Sequence, residues 1–212
     1  MTKLTVRRPL IVVVAAAVVA VGAGLAVWAT AFRSDAKELR ASETCNEGVF
    51  SANVEPLERL VSPDSSFTSE WSREVSDSSL LLTCSNSTSH ASVKMTAELK
   101  DGSVKDWRTQ LGGADTADGT RFDVGTEAFV WDKQAAVYVV CKPHSAGSSH
   151  TAGLKDPYLS ILVSASGSVE RDSETRRQDL AHLASRMFFE AQLQTGCQED
   201  FIAPSGPPRL TD

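Results

Sequence analysis

The longest apolar stretch of the chain runs from Leu10 to Phe32. Every residue in it except Thr30 is apolar or glycine, and none is charged. A helix of about 20 such residues crosses the hydrocarbon core of a bilayer, so the pattern predicts one transmembrane span. Downstream the period changes. From Ala91 to Lys100, the apolar residues Val93, Met95, Ala97 and Leu99 alternate with Lys94, Thr96, Glu98 and Lys100. That alternation predicts a strand with one buried and one wet face. From Ser173 to Gln194, Leu180, Leu183, Ala184, Met187, Phe188 and Ala191 recur at i, i+3, i+4 and i+7, the stripe of a core-facing helix. Asp172 and Glu174 suit its start and Gly196 its end.

The remaining segments are shorter. Val54–Val61 reads as a helix with Val54, Leu57, Leu60 and Val61 on one face and Pro56 in its first turn. Ser62–Ser79, rich in serine and acids, reads as a loop, with Phe67 and Trp71 able to dock on the core. Leu80–Ser87 is a strand, joined to the alternating one by a turn at Asn86–His90. Val104–Leu111 suits a short helix bearing Trp107, and Gly112–Gly119 a loop. Glu127–Trp131 and Ala136–Cys141 make a second hairpin about Asp132–Gln134. A Ser- and Gly-rich loop, Pro143–Pro157, leads to a strand at Tyr158–Ser166. Segregated strands and helices imply the α+β class: an N-terminal transmembrane helix followed by an antiparallel sheet packed by helices. The expected division is a cytoplasmic tail at 1–8, a transmembrane signal anchor at 9–32, a juxtamembrane stalk at 33–42, an extracytoplasmic domain at 43–202, and a disordered, proline-rich tail at 203–212.

Lysine and arginine alone do not orient the span, because Lys3, Arg7 and Arg8 on one side are matched by Arg33, Lys37 and Arg40 on the other. Asp35 and Glu38 on the second flank, together with the cysteines, favour a cytoplasmic N-terminus and an exported domain. Ala29-Thr30-Ala31 has the form of a signal-peptidase site, and cleavage there would give a secreted protein beginning at Phe32. The apolar run exceeds the 7–15 residues usual in a cleaved signal, which favours the uncleaved anchor. Ala16, Ala20 and Gly24 carry the four-residue spacing that can pair membrane helices, a spacing expected by chance in so alanine-rich a segment.

All 27 acids and all but three of the 21 bases lie beyond residue 32. The exported part is thus more acidic than the net −6 of the whole chain, which argues against nucleic acid as a partner. Four cysteines, Cys45, Cys84, Cys141 and Cys197, imply two disulfides in an exported chain. Three pairings exist; Cys45–Cys84 with Cys141–Cys197 is preferred because each bond then stays within one half of the domain. No C-x-x-C spacing supports a zinc site.

A cysteine before a short helix, a second cysteine in a strand, and Gly125-Thr126-Glu127-Ala128-Phe129 at a hairpin start resemble secreted and lipoprotein domains of actinobacteria, most of unknown function. Among these the LpqN-like lipoproteins have a PsbP-like α-β-α sandwich. The resemblance covers roughly residues 43–197, implies that layered fold, and implies no activity and no site residues. The chain departs from the lipoproteins in lacking a cysteine to lipidate and in carrying a second cysteine pair.

Candidate chemistry is sparse. His144 and His150 share one loop with Asp156 beyond it, a set too loose for a metal site. His182 sits at the edge of the long helix's apolar stripe. Ser34-Asp35-Ala36-Lys37 has S-x-x-K spacing, but no S-D-N or K-T-G follows. Glu127 and Asp132 are the one candidate carboxylate pair, with solvated hairpin charges as the alternative. Trp107, Phe129 and Trp131 are the candidate lining of a ligand groove, core packing being the alternative for at least two of them. The expectation is a single-pass anchored binding module of a bacterial cell envelope, with the membrane and an envelope protein or small ligand as partners, no cofactor and no enzymatic activity. The alternatives are an accessory subunit of a membrane complex, an envelope hydrolase with a non-contiguous site, or a secreted protein.

Overall fold

A computed structural model describes residues 38–45, 49, 54–111, 118–141, 151, 153–167, 172–195, 197 and 206–211. The expected anchor at 9–32, the S-x-x-K stretch, His144 and His150 lie outside them. Among the described residues no helix is long and apolar enough to cross a membrane.

The molecule is an α+β fold on one eight-stranded antiparallel sheet. Its strands are β1 (Thr68–Ser76), β2 (Ser79–Ser87), β3 (Ala91–Asp101), β4 (Thr120–Phe122), β5 (Glu127–Val130), β6 (Gln134–Val140), β7 (Pro157–Gly167) and β8 (Leu210–Thr211). They lie in the order β1-β2-β3-β7-β6-β5-β4-β8. Among the described residues three helices pack on the sheet: α1 (Glu55–Val61), α2 (Val104–Gln110) and α3 (Ser173–Thr195). A 3-10 turn at Ala41–Glu43 precedes them.

The alternation in β3 sets the register. Val93, Met95, Ala97 and Leu99 stand opposite Ala165, Val163, Ile161 and Leu159 of β7, and the β7 trio Leu159, Ile161 and Val163 meets Val139, Val137 and Ala135 of β6. One side of the sheet is therefore a continuous aliphatic surface. Onto it packs α3, whose Leu180, Leu183, Ala184, Met187, Phe188 and Ala191 are all fully buried. Asp172 starts this helix by accepting the Thr175 amide through Oδ1 at 2.8 Å.

Beyond the apolar stripe, α3 also buries Asp179, Ser185, Glu190, Gln192 and Thr195. A sequence stripe marks the side facing the sheet, whereas here the N-terminal segment covers the other flank. α1 packs on α3, and Arg59 donates from Nε and Nη2 to the Asp179 carboxylate at 2.9 and 2.6 Å. Arg186 Nε donates to the Val49 carbonyl at 3.1 Å.

Both preferred disulfides are present. Cys45–Cys84 ties the segment before α1 to β2, and Cys141–Cys197 ties the end of β6 to the end of α3. They close loops of 39 and 56 residues.

Three strands correct the sequence reading. β1 lies where a loop was expected. It is an edge strand that rests only Trp71 and Val75, both half-buried, against the core, so its apolar content is too low to mark it. β4 and β8 are two to three residues long and carry no period. β8 belongs to the tail expected to be disordered, yet Leu210 and Thr211 pair with Phe122 and Arg121. Gln178 Nε2 donates to the Pro208 carbonyl at 2.7 Å, and Arg209 pairs with Asp123 at 3.0 Å. Backbone pairing and burial of Pro208 offset the low hydrophobicity of this segment.

Two predictions follow from the packing. Replacing Cys141 and Cys197 by alanine should lower unfolding free energy by about 4 kcal/mol, the chain-entropy value for a loop of this length, measured by urea denaturation. Gly125 has φ +66°, and a Cβ there would stand 2.8 Å from Val137 Cγ1 and Val139 Cγ2 and 2.9 Å from the Tyr138 carbonyl. Gly125→Ala should therefore cost about 2–4 kcal/mol in the same assay, combining left-handed strain with overpacking.

Candidate binding cavity

The second face of the sheet is built from the alternate residues of the same strands. Toward β1 it is polar: Thr83, Ser85, Lys94, Thr96 and Ser164 are accessible to solvent. Toward β5 it is aromatic and carries α2. Ser103 caps α2, its Oγ accepting the Asp106 amide at 3.3 Å while Asp106 Oδ2 accepts the Ser103 amide at 2.9 Å. The cap aims Trp107 down onto the sheet, where it is fully buried against Phe129 and Tyr138, at centroid distances of 6.3 and 5.5 Å. Tyr138 in turn packs on Tyr158 at 4.9 Å.

The three aromatic residues singled out as groove lining thus come together in one cluster, and two of them are core. Trp107 and Phe129 are buried; Trp131, 6.0 Å from Phe129, is half-exposed at the margin. Arg121 lies over the outer side of Phe129 at 5.1 Å. The core-packing alternative holds for Trp107 and Phe129.

The open space lies beside this cluster. α2 is only two turns long and, among the described residues, does not reach the end of the sheet. A cavity of about 660 Å³ opens there between Gly102–Val104, the end of β6 at Val140 and Cys141, and Thr151 with Leu154–Pro157. Tyr138, Val104, Val140, Leu154 and Pro157 supply an apolar wall, and Ser103, Thr151, Lys155 and Asp156 the polar rim. Its frame is rigid. Asp101 Oδ1 accepts the amides of Lys155 and Asp156 at 3.1 and 2.6 Å. The Gly102 amide donates to the Asp156 carbonyl at 3.0 Å, and the Cys141 amide to that of Pro157 at 2.9 Å. The Cys141–Cys197 disulfide anchors the same corner. The volume lies within the range of small-molecule pockets, about 300–1,000 Å³.

Burial raises the pKa of the Tyr138 and Tyr158 hydroxyls, with neighbouring carboxylates adding to the effect. For Tyr158 the nearby Gln110 side chain opposes the shift without reversing it. Both remain neutral phenols at physiological pH.

The other candidate groups are dispersed. Glu127 and Asp132 do not form a carboxylate pair. Glu127 takes a two-pronged bond from Arg108, with Nη2 2.6 Å from Oε1 and Nε 3.0 Å from Oε2. Asp132 takes Arg177 Nε at 2.8 Å. All four cysteines are in disulfides. His90 is exposed at the β2–β3 turn, and His182 lies on α3. Among the described residues no three His, Cys, Asp or Glu side chains gather as metal ligands. The cavity residues themselves were not legible in sequence: Val104, Val140 and the Leu154–Pro157 stretch belong to three separate segments, and only Tyr138, an aromatic on the outer face of a hairpin strand, carried any signal.

No family model, curated protein or solved structure matches this chain. The resemblance to actinobacterial lipoprotein domains accordingly rests on its quoted residues alone and adds nothing to the cavity.

His182 yields a prediction about pH. Its pKa is lowered from 6.5, first by burial and then by the Arg186 and Arg59 cations, against an opposing pull from Asp179. The unfolded chain therefore binds the proton more readily, and stability present above pH 6.5 is lost as pH falls toward the lower folded value. His182→Gln should flatten the fall in unfolding free energy between about pH 7 and pH 5, measured by urea titration at each pH. An unchanged slope would assign that fall to other groups.

Proposed function

We propose that this chain is a single-pass, membrane-anchored extracytoplasmic binding module of a bacterial cell envelope, and that its ligand occupies the cavity beside α2. The observation that carries this reading is the cavity's construction: an open pocket with an apolar wall and a polar rim, framed by strand ends and a disulfide. Preorganised pockets of this kind orient a ligand through a few polar groups and gain affinity from apolar burial. Such a wall and rim suit a small amphiphile, with its apolar body against Val104, Val140 and Leu154 and its polar end at Ser103, Lys155 and Asp156.

Two features support placement outside the cytoplasm. Disulfides of this type persist in oxidising compartments, and the uncharged stretch from Leu10 to Phe32 has the length of a membrane span. In this reading Met1–Arg8 stays in the cytoplasm and the anchor tethers the domain to the membrane, where amphiphiles concentrate.

The test uses the neutral amphiphilic dye N-phenyl-1-naphthylamine with the full chain in detergent below its critical micelle concentration. Saturable fluorescence enhancement at one site is expected. Val140→Trp, which places an indole in the cavity, should weaken that binding at least tenfold, corresponding to about 1.4 kcal/mol. Dye binding that Val140→Trp leaves untouched would remove the cavity from the account.

A further inference from the structure

Among the described residues β1 lies at one end of the strand order and pairs with β2 alone. Its register runs without a bulge from Thr68 opposite Ser87 to Ser76 opposite Ser79. The strand contains no proline and no glycine. From Thr68 to Val75, its outer edge makes no backbone hydrogen bond to any described residue beyond β2. A straight, unpaired edge of this length is a template for another strand. Two apolar side chains of the core-facing side, Trp71 and Val75, are only half-buried there, so an added strand would also complete the core layer.

The charges on β1 select the occupant. In an antiparallel pair of two β1 strands, residues equidistant from the dyad face one another on the same side of the sheet. A dyad at Ser72 sets Glu70 against Glu74 twice, and dyads at Glu70, Arg73 or Glu74 set a charge against itself. Like charges directly opposite destabilise a sheet. A dyad at Trp71 avoids all of these. It places Trp71 against Trp71, Glu70 against Ser72, Ser69 against Arg73 and Thr68 against Glu74. It also brings each Arg73 diagonally toward the partner's indole, within reach of a cation–π contact.

We propose that β1 is a homodimerisation edge: two copies of this chain join their sheets through antiparallel β1–β1 pairing centred on Trp71. The inference is independent of the cavity and of the membrane anchor, since neither contributes to β1. The remaining diagonal approach of Glu70 to the partner's Glu74 makes the pairing stronger as ionic strength rises.

The experiment measures the mass of the full-length chain in detergent by sedimentation over a concentration series. A monomer–dimer equilibrium is expected, and Trp71→Arg, which sets two cations at the dyad, should weaken it at least tenfold while circular dichroism stays native. The register is read separately with chains carrying Glu70→Cys or Ser72→Cys, whose side chains point away from Cys45–Cys84. Mixed chains should cross-link in preference to either alone, because residue 70 faces residue 72 of the second copy, whereas two residues 72 lie beyond disulfide reach. A chain monomeric at every concentration would overturn the proposal. So would a dimer insensitive to Trp71→Arg, which would place association elsewhere, or Ser72→Cys cross-linking as fast alone as in the mixture.

Discussion

The structure depends on the seam between α3 and the central strands β3, β7 and β6. Those three strands present a single aliphatic surface because their register keeps every second residue in line, and α3 is the one element long enough to cover it. α1 and the N-terminal segment find their places through α3. α1 docks on it by the Arg59–Asp179 ion pair, and Val49 by the Arg186 guanidinium. Asp179 is almost fully buried, so loss of Arg59 would leave a desolvated charge, a change that typically costs about 3–5 kcal/mol. The two disulfides act at the margins of this seam. One fixes the exit of α3 to β6, and the other fixes the entry segment to β2.

The same strands carry a second and smaller core on their opposite face. Phe129, Ala136, Tyr138 and Tyr158 face α2 while their sequence neighbours face α3. This double duty explains why β6 reads as an almost continuous apolar run in sequence, where β3, wet on one side, alternates. It also explains the cavity. A seven-residue helix covers the aromatic cluster and stops, and the sheet end beyond it is walled by the turn into β7. The cavity at this corner is a consequence of the short reach of α2, and hydrogen bonds from Asp101 and the covalent tie at Cys141 frame it.

What was legible in the sequence follows from how strongly each element depends on burial. β3 and α3 must bury a regular stripe, so their periods stand out, and the helix start at Asp172 is marked by its cap. Cysteine pairing was legible because each bond closes within one half of the fold. β1 and β8 depend on backbone pairing more than on side-chain burial, which leaves no period to read. The burial of Asp179 could not be anticipated because its partner, Arg59, comes from more than a hundred residues earlier. Trp107, Phe129 and Trp131 were recognised as a group, with groove lining open for all three and core packing favoured for at least two. Aromatic residues at such spacing serve a core and a binding wall equally well, and only the position of α2 decides between them. No contiguous motif marks the cavity, since its walls meet only after the sheet has formed.

The account's central claim is an exported domain whose single sheet is stapled to its entry segment and to its long helix. Intact mass and non-reducing peptide mapping of the protein from native membranes tests it most directly. The account predicts a chain retaining Met1–Ala31, with Cys45 joined to Cys84 and Cys141 joined to Cys197. Free thiols on such an uncleaved chain would contradict it, because they would place the domain in a reducing compartment and leave α3 without its covalent tie to β6.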